Sequence, residues 1–120
     1  MNINQHETSL HTLNKSNLNT LLNEQLSQCI QTGDSVILIE DGVYQYGSLS
    51  GQSQPSSSQH AKPVNTSHWS QIAACIYILE ADAIARGIQA LPDVNPKVVF
   101  IDYREFVNLT LKYKKVVSWY

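Results

Sequence analysis

Glycine-rich phosphate loops are missing from this chain. Gly33 and Gly42 stand alone on separate turns, so the backbone cradle of the nucleotide-binding motifs has no counterpart. Cysteine is scarce as well: Cys29 and Cys75 lie far apart with no CxxC. That spacing excludes a disulfide framework or a zinc knuckle and suits a reducing cytoplasm. The histidines, His6, His11, His60 and His68, show no ligand spacing, and neither a metal nor a cofactor is expected. A basic excess is also absent. Net charge is −2, and Lys112, Lys114 and Lys115 form the one basic cluster, which reads as a solvated helix end. Without a basic face, direct nucleic-acid binding is not expected. No apolar run approaches the roughly 18 residues of a membrane span. The N-terminal MNINQHETS lacks the charged-then-apolar order of a secretory signal. No membrane association and a cytoplasmic location are therefore expected.

What is present is a set of short, strongly apolar runs separated by helical patterns. A chain of 120 residues with 42% hydrophobic content can form one core without staples. Residues 1–8 read as a disordered tail and 9–120 as a single domain. Ser9–Leu13 reads as a first strand. Leu18, Leu21, Leu22, Leu26, Cys29 and Ile30 recur at helical spacing, with Asn23, Glu24 and Gln28 outside the stripe, Ser16 or Asn17 as N-cap and Gly33 at the C-terminal stop. The run Val36–Ile39, bounded by Gly33-Asp34 and Asp41-Gly42, suits a strand covered on both faces. The Ser/Gln-rich stretch 47–62 has little to bury and reads as a flexible loop, with helix resuming over 64–71 around Trp69. Ile72–Leu79 and Lys97–Ile101 read as further buried strands. Ala81–Arg86, closed by Gly87, and Tyr103–Tyr113 read as helices, and the tail KKVVSWY as an edge strand. This order predicts an α/β protein: a three-layer α/β/α sandwich with a mostly parallel sheet of four to five strands.

Candidate chemistry is thin. Cys29 falls late in the first helix, on the apolar stripe and at the end that disfavours an anion. Cys75 falls mid-strand between apolar neighbours. Both read as structural thiols, with persulfide carriage the sharper alternative. Glu40 and Asp41 are adjacent on a strand tip, so their side chains diverge. Asp41 is expected to cap a short turn over Val43–Tyr46 that Gly42 lets bend, and Asp102 to cap the helix after it. Contact with a ligand or partner is the alternative for each. Arg86 is either a solvent-facing helix end or half of an interface ion pair. Trp119 either docks on its own core or anchors a partner.

Taken together, the stretches Leu10–Ser16, Gly33-Asp34, Leu38–Tyr44, Tyr77–Leu79, Asp82, Ala85–Gly87, Asp102-Tyr103, Phe106-Val107, Leu109-Thr110 and Ser118-Trp119 resemble the TusB/DsrH family of sulfur-relay proteins. The resemblance implies a DsrE/DsrF-like fold. It also implies a place in a heterohexamer of three related subunits, two copies each, with TusC-like and TusD-like partners. Such a complex takes persulfide sulfur from TusA and passes it to TusE for 2-thiolation of the wobble uridine of the tRNAs for Lys, Glu and Gln. The carrier cysteine is then expected on the TusD-type partner and none on this chain, which is not an enzyme by itself. The resemblance makes His11, Asp41, Gly42, Tyr44, Arg86, Asp102 and Trp119 interface or signature positions. Some DsrH relatives carry a cysteine in the first helix. Counted back from Gly33, its position falls at Leu26, three residues before Cys29, which favours the Tus side. Two alternatives remain: a DsrH-like subunit of a sulfur-oxidation relay using its own cysteine, and a flavodoxin-like module binding a small ligand.

Overall fold

Ser9–Leu13 forms β1, buried along its whole length. In the computed structural model, which describes residues 8–49, 68–91 and 95–120, it is followed by α1 (Thr20–Cys29), β2 (Ser35–Leu38), a 3₁₀ segment (Glu40–Gln45) and α2 (Tyr46–Leu49). Then come α3 (Trp69–Ile72), β3 (Ile76–Leu79), α4 (Glu80–Ala85), β4 (Val98–Ile101), α5 (Tyr103–Lys112) and β5 (Lys115–Trp119). Every strand pairing is parallel, in the order β4-β3-β2-β1-β5. The expected α/β sandwich with a parallel sheet is the architecture found.

That order decides where the helices go. From β1 to β4 the chain steps across the sheet in one direction, and from β4 to β5 it steps back to the opposite edge. Parallel crossovers are right-handed, so the reversal puts α5 on the face opposite α1, α3 and α4. The core divides accordingly. Leu13, Leu22, Leu26, Val36, Leu38 and Trp69 pack on the α1 face, and Leu10, Ile37, Ile101 and Leu109 on the α5 face. Alternation along the strands then places Ser9 and His11 with Leu13 on the α1 face.

Several boundaries differ from expectation, each for a local reason. α1 begins later, because Ser16 is used in a preceding turn, where its carbonyl accepts from Asn19 N–H at 3.1 Å. Asn19 is the N-cap, its side chain accepting from Leu22 N–H at 3.1 Å. Leu18 and Leu21 therefore stay in solvent, while Asn23, expected outside, is buried. The fully buried Trp69 indole needs an acceptor, and Asn23 Oδ1 supplies it at 3.0 Å. The helix ends at Cys29 with Ile30 as cap. Gly33 sits beyond it at φ +96°, in the turn Gln31–Asp34. β3 is shorter than the apolar run suggested, since Trp69–Ile72 is helical. The expected tail lies outside the described residues apart from Thr8. The expected loop does so too, apart from Gly47, Ser48 and Leu49, which are helical in α2. Residues 64–67 of the expected helix also fall outside them.

Candidate functional site

Two polar networks hold four of the singled-out residues, His11 and Trp119 in one and Asp41 and Arg86 in the other. The first lies on the α1 face, where β1 is flanked by β2 and β5. Asp34, just before β2, is 2% exposed. Its Oδ1 accepts from Ser9 N–H at 2.9 Å. Its Oδ2 accepts from Gln31 N–H at 3.0 Å and lies 3.0 Å from His11 Nε2. The other His11 nitrogen, Nδ1, is 3.0 Å from Trp119 Nε1. An indole nitrogen can only donate, so Nδ1 is the acceptor and Nε2–H donates to Asp34. Burial works to raise the Asp34 pKa, but the hydrogen bonds from His11, Ser9 and Gln31 outweigh it and hold the carboxyl below its ordinary value.

Beside this chain of bonds opens a cavity of about 520 Å³, walled by His11, Asp34, Cys29, Lys115, Val117 and Trp119 among others. Cys29 was expected in the core and is instead exposed. The last turn of α1 presents its thiol at the rim, while Leu22, Leu26 and Ile30 face inward. Trp119, partly buried, packs against its own core. The buried imidazole has both nitrogens engaged, so it orients neighbouring strands rather than offering a free base. Among the described residues no group of three or more His, Cys, Asp or Glu is placed to hold a metal ion.

Cys75 is not mid-strand but one residue ahead of β3 and half-buried, its thiol 3.5 Å from the Lys97 carbonyl. It sits beside Tyr77 on the α5 face. Burial, then Cys75, then Tyr113 push the Tyr77 phenol well above its usual pKa. Tyr113 in turn donates to Ser35 Oγ at 2.9 Å. The two cysteines are thus on opposite faces of the sheet and cannot act as a pair.

The second network occupies the carboxyl ends of the strands. Asp41 does not cap the turn after it. The 3₁₀ segment starts from Ile39 without a side-chain cap, and Asp82 of α4 accepts the Glu40 N–H at 2.6 Å. Asp41 instead takes Arg86 Nε at 3.1 Å, and Arg86 also donates to the Asp82 carbonyl at 3.2 Å. Arg86 is therefore not a free helix end but a clamp between two segments of its own chain. The left-handed residue of this corner is Glu40, at φ +50°, not Gly42. Gly42 is required for a different reason: a Cβ there would run into the Leu13 carbonyl. Tyr44 is half exposed at the same end. Asp102 does cap α5, in a capping box with Glu105.

The model of the family described as DsrH like protein matches residues 15–116. Protein TusB of Escherichia coli (strain K12) is 30% identical over 110 residues, covering 92% of this chain and 99% of that protein. Protein TusB of Shigella flexneri is 33% identical over 112 residues, with the same coverage. The chain belongs to the DsrH/TusB family. A solved structure, the ychN protein from E. coli, shares the fold at a TM-score of 0.53 and 16% identity, over 96% of this chain and 100% of that one.

Six of the ten stretches that carry the DsrH/TusB resemblance meet in space in two groups of three. His11, Asp34 and Trp119 come from three of them and form one hydrogen-bonded line. Asp41, Asp82 and Arg86 come from three others and form the second network. Asp34 and Asn23 escaped attention as polar groups. The signal for Asp34 was a histidine inside a short strand: a buried imidazole must find partners, and an acid at the start of the neighbouring strand is within reach. No helix among the described residues is long and apolar enough to cross a membrane.

Proposed function

We propose that this chain is a non-catalytic, cytoplasmic subunit of a TusBCD-like sulfur-relay complex, which passes persulfide sulfur from TusA to TusE for 2-thiolation of the wobble uridine of the tRNAs for Lys, Glu and Gln. TusC-like and TusD-like chains are its partners in a heterohexamer, and the TusD-type subunit carries the sulfur. The observation that carries the reading is family membership over nearly the whole chain. It is supported by the arrangement of the thiols, which lie on opposite faces with the nearest histidine engaged at both nitrogens. Co-expression with the TusC-like and TusD-like chains of the same cell, followed by light scattering, is the test. One assembly containing all three chains is expected, and a chain that ignores both partners would sink the reading. A Cys29→Ser/Cys75→Ser double variant should leave tRNA thiolation unchanged.

One observation favours a second reading, in which Cys29 carries persulfide itself: its thiol is exposed at the rim of a cavity that also holds Lys115. A one-sulfur mass gain on incubation with a sulfur donor, abolished by Cys29→Ser, would establish it.

A further inference from the structure

Among the described residues β5 is an edge strand, paired with β1 alone, and Trp119 is its last residue. Lys115, Val116 and Ser118 along it are exposed. Besides the backbone ladder and the packing of the indole ring, two side-chain bonds fix its end. On the α5 face Thr12 Oγ1 donates to Ser118 Oγ at 3.2 Å. On the α1 face the Trp119 indole donates to His11 Nδ1 at 3.0 Å, with the two ring centroids 6.2 Å apart. A hydroxyl pair is blind to pH near neutrality, whereas imidazole is the side chain whose charge ordinarily changes there. Of the three protonation forms of His11, one alone supports both of its bonds. Asp34, held ionised by its N–H donors, accepts and does not donate, so Nε2 must carry a hydrogen. Trp119 donates and cannot accept, so Nδ1 must be bare. The Nδ1–H tautomer breaks both bonds. The imidazolium strengthens the bond to Asp34 and sets N–H against N–H at Trp119.

We propose that His11 is a proton-operated latch on the end of β5: proton uptake from solvent at Nδ1 expels the Trp119 indole and loosens the end of the strand from β1, with the rest of the sheet in place. The ionisable groups around the ring come from each element packed against it. Asp34, ahead of β2, favours the imidazolium. Lys115 of β5 lines the same cavity and opposes it, and Cys29 of α1 stands at the rim. The detached form keeps the carboxylate and loses the opposing indole donor, so it binds the proton more readily than the docked form. Acid therefore shifts the equilibrium toward detachment. An imidazole changes charge between about pH 5 and 8, while Asp34 stays ionised until below about pH 4, so the latch opens before the acid limit of the fold. The inference goes beyond the sulfur-relay reading and stands apart from it, since it concerns contacts within this chain only.

Nitrogen-15 NMR of the full chain, titrated from about pH 8 to about pH 5, is the test. At the alkaline end His11 should be the Nε2–H tautomer, with the shift of a bare nitrogen at Nδ1. As that ring takes up its proton, the Trp119 Hε1 signal should lose its hydrogen-bonded shift with the same midpoint. The amides at the end of β5 that pair with β1 should lose exchange protection with it. The Trp69 indole, bonded to Asn23, and the amides of β3 are the internal references and should not respond. Trp119→Phe keeps the ring and removes the opposing donor, so it should raise the His11 midpoint by roughly half a unit to one unit. Four results would each overturn the proposal: a His11 ring that stays neutral throughout, a Trp119 signal that ignores the His11 titration, loss of β3 protection at the same midpoint, or an unchanged midpoint in Trp119→Phe.

Discussion

Asp34 Oδ2 lies 3.0 Å from His11 Nε2, both side chains almost wholly buried. The same carboxylate accepts the backbone N–H groups of Ser9 and Gln31, so it ties β1, β2 and the end of α1 to one point. Asp34→Ala leaves two buried donors, Ser9 N–H and His11 Nε2–H, and the part-buried Gln31 N–H without their acceptor. It should cost roughly 3 kcal/mol or more in urea unfolding, because an unsatisfied buried group costs about 1–3 kcal/mol.

The same carboxyl sets an acid limit. Its pKa is lower folded than unfolded, so the unfolded chain binds the proton more readily. Its contribution is complete above the unfolded value, near 4 for an aspartate, and is lost as pH falls through the folded value. Unfolding midpoints from pH 6 downward should decline below about pH 4, and Asp34→Asn should flatten that part of the profile.

Trp119→Phe keeps the ring and removes the donor to His11 Nδ1. The loss should be about 1 kcal/mol, the scale of a net hydrogen bond, plus the cost of a buried lone pair. A double-mutant cycle with a His11 variant should show coupling of roughly 0.5–3 kcal/mol, as contacting residues do. Additive effects would mean that the indole docks by its ring alone.

Gly42→Ala forces a methyl group toward the Leu13 carbonyl. Backbone cannot yield as a side-chain end can, so destabilisation of about 3 kcal/mol or failure to fold is expected. Gly47→Ala is the control, since nothing lies within 4 Å of its added Cβ. Sitting in α2, it should be neutral or slightly stabilising by thermal unfolding.

Alkylation of the native protein, read by mass spectrometry, should label Cys29 well before Cys75, because the first is exposed and the second half-buried against the Lys97 carbonyl. Equal rates in the native state, converging with those in denaturant, would contradict the placement of Cys29 at the cavity rim.

The sequence by itself determined the element order, the edge position of β5, the Asp102 cap of α5 and the family. These depend on periodicity and local chemistry, which are written in consecutive residues. Tertiary structure alone decided which polar residues are inside. β1 pairs with both β2 and β5, and that adjacency brings together His11, Asp34 and Trp119 from the two ends of the chain. It also decided that Cys29 faces out while Asn23 faces in: a helical stripe is wider than its buried line, and only the position of Trp69 against α1 picks the side that must satisfy an indole N–H. A buried polar group is defined by its partner, and partners are assigned by strand order in space, not by distance along the chain.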